Sequence, residues 1–399
     1  MPRNSTDTTI ARERNKRTIL NLIRTRYPIS RTELAAISRL NKATVSMVVS
    51  DLIRKGIVAE AGCAASAVGR RPVLLRFLAD SAYVIGVVLN VDRVRLAVTD
   101  LEGRVVHEAE RALTDVRQAQ ILQEMTRMME EAMAAAAKTP RGVVAIGIGL
   151  PGLVDDRRGA VLFTPNMDLH HVELKRYLRE RFSVPVFVDN SANVSAFGEK
   201  LVGAGRAWDH FVYISVSTGI GAGIVMNGEL QRGADGFAGE IGHMVVEPDG
   251  LPCSCGSNGC WEMYGSLKAL YRWVQPYVAG ELPAYHPSVL DHVMAAAAAG
   301  EVWAADALAK VGRYLGIGLA NIVNILNPQA VLIGNDMARA EPWLRPVVTE
   351  VIAARCSPEL REHLAVVFVP NGHNTAVVGA ASLGIHGYLE SLVRQGARA

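Results

Sequence analysis

The segment Glu240-Ile-Gly-His243 is followed, nine residues later, by Cys253-Ser-Cys255-Gly-Ser-Asn-Gly-Cys260-Trp-Glu262. Three of the chain's five cysteines therefore fall within eight residues, ten positions beyond a histidine. One imidazole and three thiolates make the ligand set of a closed, tetrahedral structural zinc site, so His243, Cys253, Cys255 and Cys260 are expected to converge on one Zn2+ ion. Gly256 and Gly259 permit the tight turns that such convergence needs. The alternative is a reduced or disulfide-linked loop, but Cys253-x-Cys255 is cramped for a bridge and nothing else in the chain points to an oxidising compartment. Glu240 and Glu262 bracket the cluster as carboxylates that hold hydroxyl groups would; the competing reading makes them exposed loop carboxylates.

At 399 residues, half of them hydrophobic, the chain has material for two or three domains with sizeable cores. The opening Met-Pro-Arg-Asn-Ser-Thr-Asp has no apolar run of signal-peptide length, and no uninterrupted apolar stretch suggests a bilayer span. A cytoplasmic protein without a membrane partner is the expectation. The net charge of +3 hides an asymmetry: residues 1–78 carry a surplus of ten positive charges, which leaves the rest at −7. A small basic module on a mildly acidic body is the footprint of a nucleic-acid reader attached to something else.

Within that module, residues 1–13 read as a flexible tail and residues 14–79 as a winged helix-turn-helix. Asn15 to Arg26 place Ile19, Leu20, Leu22 and Ile23 on one stripe, ended by Pro28. Ser30 and Glu33 spell a capping box for a short second helix to about Ser38. Asn41 caps a third, Lys42 to Lys55, which turns Val45, Val48, Val49, Leu52 and Ile53 inward and stops at Gly56. Asn41, Lys42, Thr44 and Ser46 then stand where a recognition helix meets base edges and phosphates of duplex operator DNA. Ile57–Glu60 and Val73–Phe77 read as paired strands, and Gly69-Arg70-Arg71-Pro72 between them as a wing whose Arg70 and Arg71 grip the DNA backbone or minor groove. The bland reading of the same pattern is a small solvated bundle.

From about residue 80 strands alternate with helices, the mark of an α/β fold: Tyr83–Val88, Val94–Asp100, a helix near Ala119–Ala137, and the buried-strand run Val143–Leu150. That run ends in Gly149-Leu150-Pro151-Gly152, at the carboxyl end of a strand where open α/β sheets place ligands. Val184–Val188 is followed by Asp189-Asn190-Ser191-Ala192-Asn193, and Phe211–Val216 by the glycine-rich Ser217–Gly223 turn, a weak phosphate-loop signal by itself.

Taken together, residues 14–399 resemble the ROK family, named for repressors, open reading frames and kinases. The matching stretches are Gly149–Gly152, Asp189–Glu199, Ser217–Gly223, Gly239–Glu262 and Leu315–Pro328, the last read as a glycine-rich helix start on the adenosine side. The winged helix-turn-helix with its Gly-Arg-Arg-Pro loop resembles the repressor branch. The resemblance implies an actin-like, ROK sugar-kinase-like fold of two lobes: 80–192 with a C-terminal helix (376–399) returning to it, and 193–375 carrying a zinc knuckle at 243–260.

Two departures separate this chain from the family's kinases. Sugar-phosphorylating relatives carry Asn-Asp where this chain has Asn190-Ser191, and a serine hydroxyl is no proton acceptor near neutral pH. They also carry Asp-x-Gly-Gly-Thr where this chain has Val88-Leu89-Asn90-Val91-Asp92, so ATP binding is expected to be lost. The sugar side is kept. Asn190, Glu240, His243 and Glu262, with Gly152 and Asn166 at the rim, match positions that hold sugar hydroxyls in the family, and a His243 fixed by zinc through one nitrogen would present the other to the sugar. No catalytic residue is therefore expected. The implied function is a sugar-responsive regulator, a repressor of carbohydrate uptake or catabolism genes. Its partners are duplex operator DNA, a sugar or sugar phosphate effector, and a second copy in a homodimer or dimer of dimers. The alternatives are an active ATP-dependent sugar kinase that also binds DNA, and a repressor governed by a protein partner.

Overall fold

The computed structural model describes residues 4–63, 72–136, 141–164, 167–278, 287–370 and 372–394. The N-terminal module comprises α1 (Asn4–Arg26), β1 (Ile29–Ser30), α2 (Arg31–Ser38), α3 (Lys42–Arg54), β2 (Val58–Cys63) and β3 (Val73–Phe77). α1 begins at Asn4, so residues 4–13 continue the helix where a flexible tail was expected; that stretch has no apolar stripe from which its helicity could be read. The capping box forms in both directions, Glu33 N donating to Ser30 Oγ at 3.2 Å and Ser30 N to Glu33 Oε2 at 2.8 Å. Asn41 Oδ1 accepts from Thr44 N at 2.8 Å and opens α3. β3 lies between β1 and β2, antiparallel to both.

Among the described residues the body contains two five-stranded sheets with one topology. In the first lobe β4 (Tyr83–Leu89), β5 (Arg93–Thr99) and β6 (Val105–Ala112) form an antiparallel meander, followed by α4 (Gln118–Ala135) and β7 (Val143–Leu150). A small sheet of β8 (Leu153–Asp155), β9 (Ala160–Phe163) and β10 (His170–Val172) leads through α5 (Leu174–Arg181) to β11 (Val186–Asn190), giving the order β11-β7-β4-β5-β6. β7 and β11 run parallel to β4. After α6 (Ser191–Leu201) the second lobe repeats the plan. β12 (Phe211–Val216), β13 (Ile220–Met226) and β14 (Glu229–Gln231) make the meander. The helices α7 (Glu262–Gly265), α8 (Leu267–Val278), α9 (Pro287–Ala298) and α10 (Val302–Leu326) intervene before β15 (Ala330–Gly334). α11 (Glu341–Arg355), α12 (Pro358–Arg361) and β16 (Ala365–Val369) complete the order β14-β13-β12-β15-β16. Buried strands flanked by helices put the cleft between lobes at the carboxyl ends of the parallel strands.

One stretch read as a helix start is the opposite. Leu315–Leu326 is the second half of α10, which ends at Asn327 in the left-handed conformation (φ 43°). The glycines there serve packing: a methyl on Gly318 would lie 2.0 Å from Trp261 Cε2, and one on Gly316 2.7 Å from Val351 Cβ.

α13 (Gly372–Arg394) crosses the first lobe on the face opposite α4 and α5. Thr375–Arg394 is long and apolar enough to cross a membrane, yet 72% of that stretch is buried in the fold, which makes it a core helix. Its far end joins the N-terminal module in one apolar cluster, Ala381, Ile385, Tyr388, Leu389 and Leu392 packing with Ile19, Ile23, Val45, Leu52 and Phe77. Polar bonds reinforce that junction: Arg17 with Glu390, Lys55 with the Leu392 carbonyl, and Arg141 with Tyr388 Oη at 3.0 Å.

Inside the module, Asp51 receives Lys16, itself buried, at 3.1 Å, with Arg54 and Lys55 alongside. Burial alone would raise the Asp51 carboxyl, but the three cations bring it down to about 2. A carboxylate depressed in this way stabilises the fold above its unfolded value near 4 and loses that contribution as pH falls towards 2. Asp51→Asn is therefore expected to destabilise the module by about 2 kcal/mol at neutral pH, with the difference from the parent protein closing between about pH 4 and pH 2. Chemical denaturation at several pH values measures both.

Candidate metal centre and sugar cleft

The zinc-loop residues are brought together as their spacing implied. The ligand atoms of His243, Cys253, Cys255 and Cys260 all lie within 4.8 Å of one another. Cys255 Sγ is 3.6 Å from Cys260 Sγ, and Cys253 Sγ is 3.7 Å from His243 Nδ1. Four ligands around one zinc at ordinary Zn–S and Zn–N lengths would stand roughly 3.5–3.8 Å apart, so the donor set and its spacing fit the ion. Burial, with Cys255 and Cys253 alongside, pushes the Cys260 thiol up to about 12, and burial also raises Cys253. Three sulfurs in this space need a cation to become thiolates together.

Local backbone features hold the loop in shape. Gly259 sits at φ 73°, where an added methyl would meet the Glu247 carbonyl oxygen at 1.7 Å; Gly256, at φ 91°, makes the turn between Cys255 and Ser257. Trp261, fully buried, donates from Nε1 to the Tyr314 carbonyl at 2.7 Å, while Tyr314 Oη donates to Glu247 at 2.9 Å. The loop is thereby fastened to α10.

His243 faces two ways. Its Nδ1 is on the cysteine side, and its Nε2 lies 3.9 Å from Glu240 Oε2. Glu262 is buried; its Oε1 accepts from Cys253 Sγ at 3.4 Å and lies 3.8 Å from Lys268 Nζ. Glu240 stands at the cleft with its carboxyl raised by desolvation, opposed by His243. A methyl on Gly219 would come within 2.8 Å of Glu262 Oε2, so the Ser217–Gly223 turn packs beside this carboxylate. Only Ser217–Gly219 of that stretch is a turn; Ile220–Gly223, expected as part of it, already belong to β13, which lies against α6 through Gly221 and Gly223 facing Ala192 and Ala196.

On the other wall, Asn190 caps α6, its Oδ1 accepting from Ala192 N at 2.7 Å and its Nδ2 donating to the Gly152 carbonyl at 2.8 Å. One amide hydrogen and one lone pair of that side chain are left for a ligand. Ser191 opens α6 and lines a polar cavity between the lobes together with Asn90, Arg95, Ser195, Tyr213 and Asn335. Arg95 stands directly across from Val88 in the β4–β5 ladder. Asn166, Arg70 and Arg71 lie outside the described residues.

Asp189, two residues before Ser191, is fully engaged. It accepts from Asn193 Nδ2 at 2.8 Å, from its neighbour's amide at 2.7 Å, and from both Nε and Nη2 of Arg232 at 3.0 and 2.8 Å. Arg232 also reaches Asp156 at 3.3 Å, and Arg157 donates to the Ala234 carbonyl at 2.7 Å, so these contacts tie one lobe to the other. Sequence reading missed Arg232: its partner is distant along the chain and no local pattern marks it.

In the N-terminal module Lys42 and Ser46 are exposed on α3, whereas Asn41 is occupied as the cap and Thr44 is half-buried. Ala43, Met47, Ser50 and Arg54, exposed on the same helix, were not singled out by sequence.

Residues 84–386 match the ROK family. The chain belongs to the ROK family. It is 35% identical over 384 residues to the xylose repressor of Bacillus spizizenii, covering 96% of this chain and 98% of that one. Among solved structures it resembles a ROK family transcriptional regulator described as a homologue of the E. coli MLC protein, with TM-score 0.83, 29% identity and coverage of 98% and 99%. A ROK glucokinase from Streptomyces griseus, solved with glucose and AMPPNP, aligns with TM-score 0.65 and 33% identity, covering 76% of this chain and all of its own. This ROK protein therefore shares the lobes with the kinases and, over nearly its whole length, the architecture of the regulators.

Cys255→Ser, or treatment with a strong chelator, is expected to remove one equivalent of zinc and loosen the His243–Glu262 segment. Metal analysis and amide hydrogen exchange of residues 240–262 check this; metal content unchanged by the substitution would refute it.

Proposed function

We propose that this protein is a sugar-responsive transcriptional repressor. It binds operator DNA through its winged helix-turn-helix, and its lobes act as a sensor without kinase activity. The observation that carries the reading is the contrast within one cleft. Glu240, His243 and Glu262, the residues that would face a sugar, are gathered on a loop whose donor set fits a metal ion, while Ser191, where the kinases' proton acceptor would stand, has no such capacity and the neighbouring Asp189 is held by Arg232. Two guanidinium donors of Arg232 occupy Asp189 Oδ2, and Asn193 with the Asn190 amide occupies Oδ1, so this carboxylate is committed to protein donors and badly placed to receive a proton from a sugar hydroxyl. Val88 in place of a metal-associated aspartate supports the same reading.

The effector is a neutral sugar or a sugar phosphate. The name of the Bacillus relative makes xylose the first candidate. Structural zinc is the ion of the cysteine cluster. The protein works in the cytoplasm as a homodimer, so that two winged helices meet two half-sites of a palindrome. Sugar closing the lobes would reposition α13, and with it the DNA reader packed on its far end.

Titration calorimetry of the zinc-loaded protein against xylose, other pentoses, hexoses, N-acetylated sugars and their phosphates, with and without ATP, tests the proposal. Saturable binding of one sugar without ATP consumption, together with a changed affinity for duplex DNA, is expected. Glu262→Gln should weaken that sugar at least ten-fold, the scale of a lost charge-assisted hydrogen bond. ATP turnover would make the protein a kinase, and no sugar binding at all would favour control by a protein partner.

A further inference from the structure

We propose that the middle of α3 recognises thymine methyl groups in the major groove. Val45, Val48, Val49 and Leu52 face the core of the module, which leaves Ala43, Ser46, Met47, Ser50 and Arg54 exposed. At 3.6 residues per turn these five fall on one stripe about 100° wide, the face a recognition helix turns towards base edges. Met47, midway along its length, is 49% exposed.

The chemistry of that stripe is unusual for a base-reading surface. Bidentate readout needs a guanidinium or ammonium for guanine, or a carboxamide for adenine. Arg54 is bonded to Asp51 on the core side of the helix, and Asn41 is occupied by the cap. Lys42 lies at the edge of the stripe, in the first turn of α3. Ser46 and Ser50 can bond either to acceptors or to donors and discriminate weakly. The distinctive groups in the second and third turns are therefore apolar: the Met47 side chain and, one turn earlier, the Ala43 methyl. The apolar feature that the major groove offers is the thymine C5-methyl, which a flexible thioether can cover without exact registration. Specificity at the base pairs facing Met47 and Ala43 then comes from methyl contact, while the arginines and lysines of the module supply affinity through phosphates.

The inference rests on DNA binding by the winged helix, and the test separates the two. Bound duplexes are selected from a random pool by the zinc-loaded full-length protein, and each thymine of the selected half-site is then replaced singly by deoxyuridine. This removes the methyl and leaves the hydrogen-bonding edges intact. At one or two adjacent positions the affinity should fall about four-fold, the worth of one buried methyl. In Met47→Ala the penalty at one of them should disappear, and the duplexes that this variant selects should no longer fix thymine there. Uniform tolerance of uridine in the parent protein, or identical uridine penalties in Met47→Ala, would overturn the proposal. Failure to select any duplex would instead overturn the DNA-binding reading itself.

Discussion

Everything in this protein depends on how closely α13 approaches the sheet beneath it. A methyl on Gly147 would lie 1.7 Å from the Ala380 carbonyl oxygen, and one on Gly86 2.3 Å from that of Val377. A methyl on Gly379 would likewise lie 1.8 Å from the Val194 carbonyl oxygen of α6, one on Gly198 2.0 Å from that of Thr375, and one on Gly387 2.0 Å from Phe187 Cζ. Contacts this close, made largely to backbone, leave the helix no room to slide past β4, β7 or α6, because close-packed interiors deform little and switch between discrete arrangements. α6 begins at Asn190 and Ser191 in the cleft, while the other end of α13 is bonded and packed to the DNA reader. A change in lobe angle is thus geometrically tied to the position of the winged helix.

The cleft is built from a loop that positions side chains on one wall and an ion pair that engages a carboxylate on the other. The cysteine loop holds His243 with one nitrogen towards the sulfurs and the other beside Glu240, and it keeps Glu262 close to Gly219. These are positional functions, which a rigid loop supplies without any reaction. Across the gap, Arg232 converts Asp189 from a potential base into half of an inter-lobe ion pair.

Features set by local spacing were legible in the sequence. The Ser30–Glu33 box, the Asn41 cap and the paired strands of the wing announce themselves within a few residues, and the His/Cys cluster is specified by ligand type and interval. Features set by tertiary contact were not. Arg232 meets Asp189 across the lobes, Arg95 reaches the cavity because of strand register, and the glycines of α10 look like a helix-start signal when their cause is Trp261 and Val351 pressing on the helix. The early start of α1 escaped for a different reason, since a helix without an apolar stripe leaves no periodic trace. Met47 was passed over because a lone methionine in a helix usually belongs to a core, and only its exposure marks it otherwise.

The order of the chain gives α13 one more consequence. It follows every other described element, so during synthesis it leaves the ribosome after the winged helix and both sheets. Until then Val84, Ala145 and the apolar side of the DNA reader lack the α13 part of their cover, and the reader keeps only its smaller contacts with the first lobe, such as Arg141 with the Lys55 carbonyl. Domains fold as they emerge, so a nascent or C-terminally clipped copy would carry a formed DNA-reading module with a weakened mechanical link to the sensor. Integrity of the last helix therefore decides whether a DNA-binding molecule is also a regulated one.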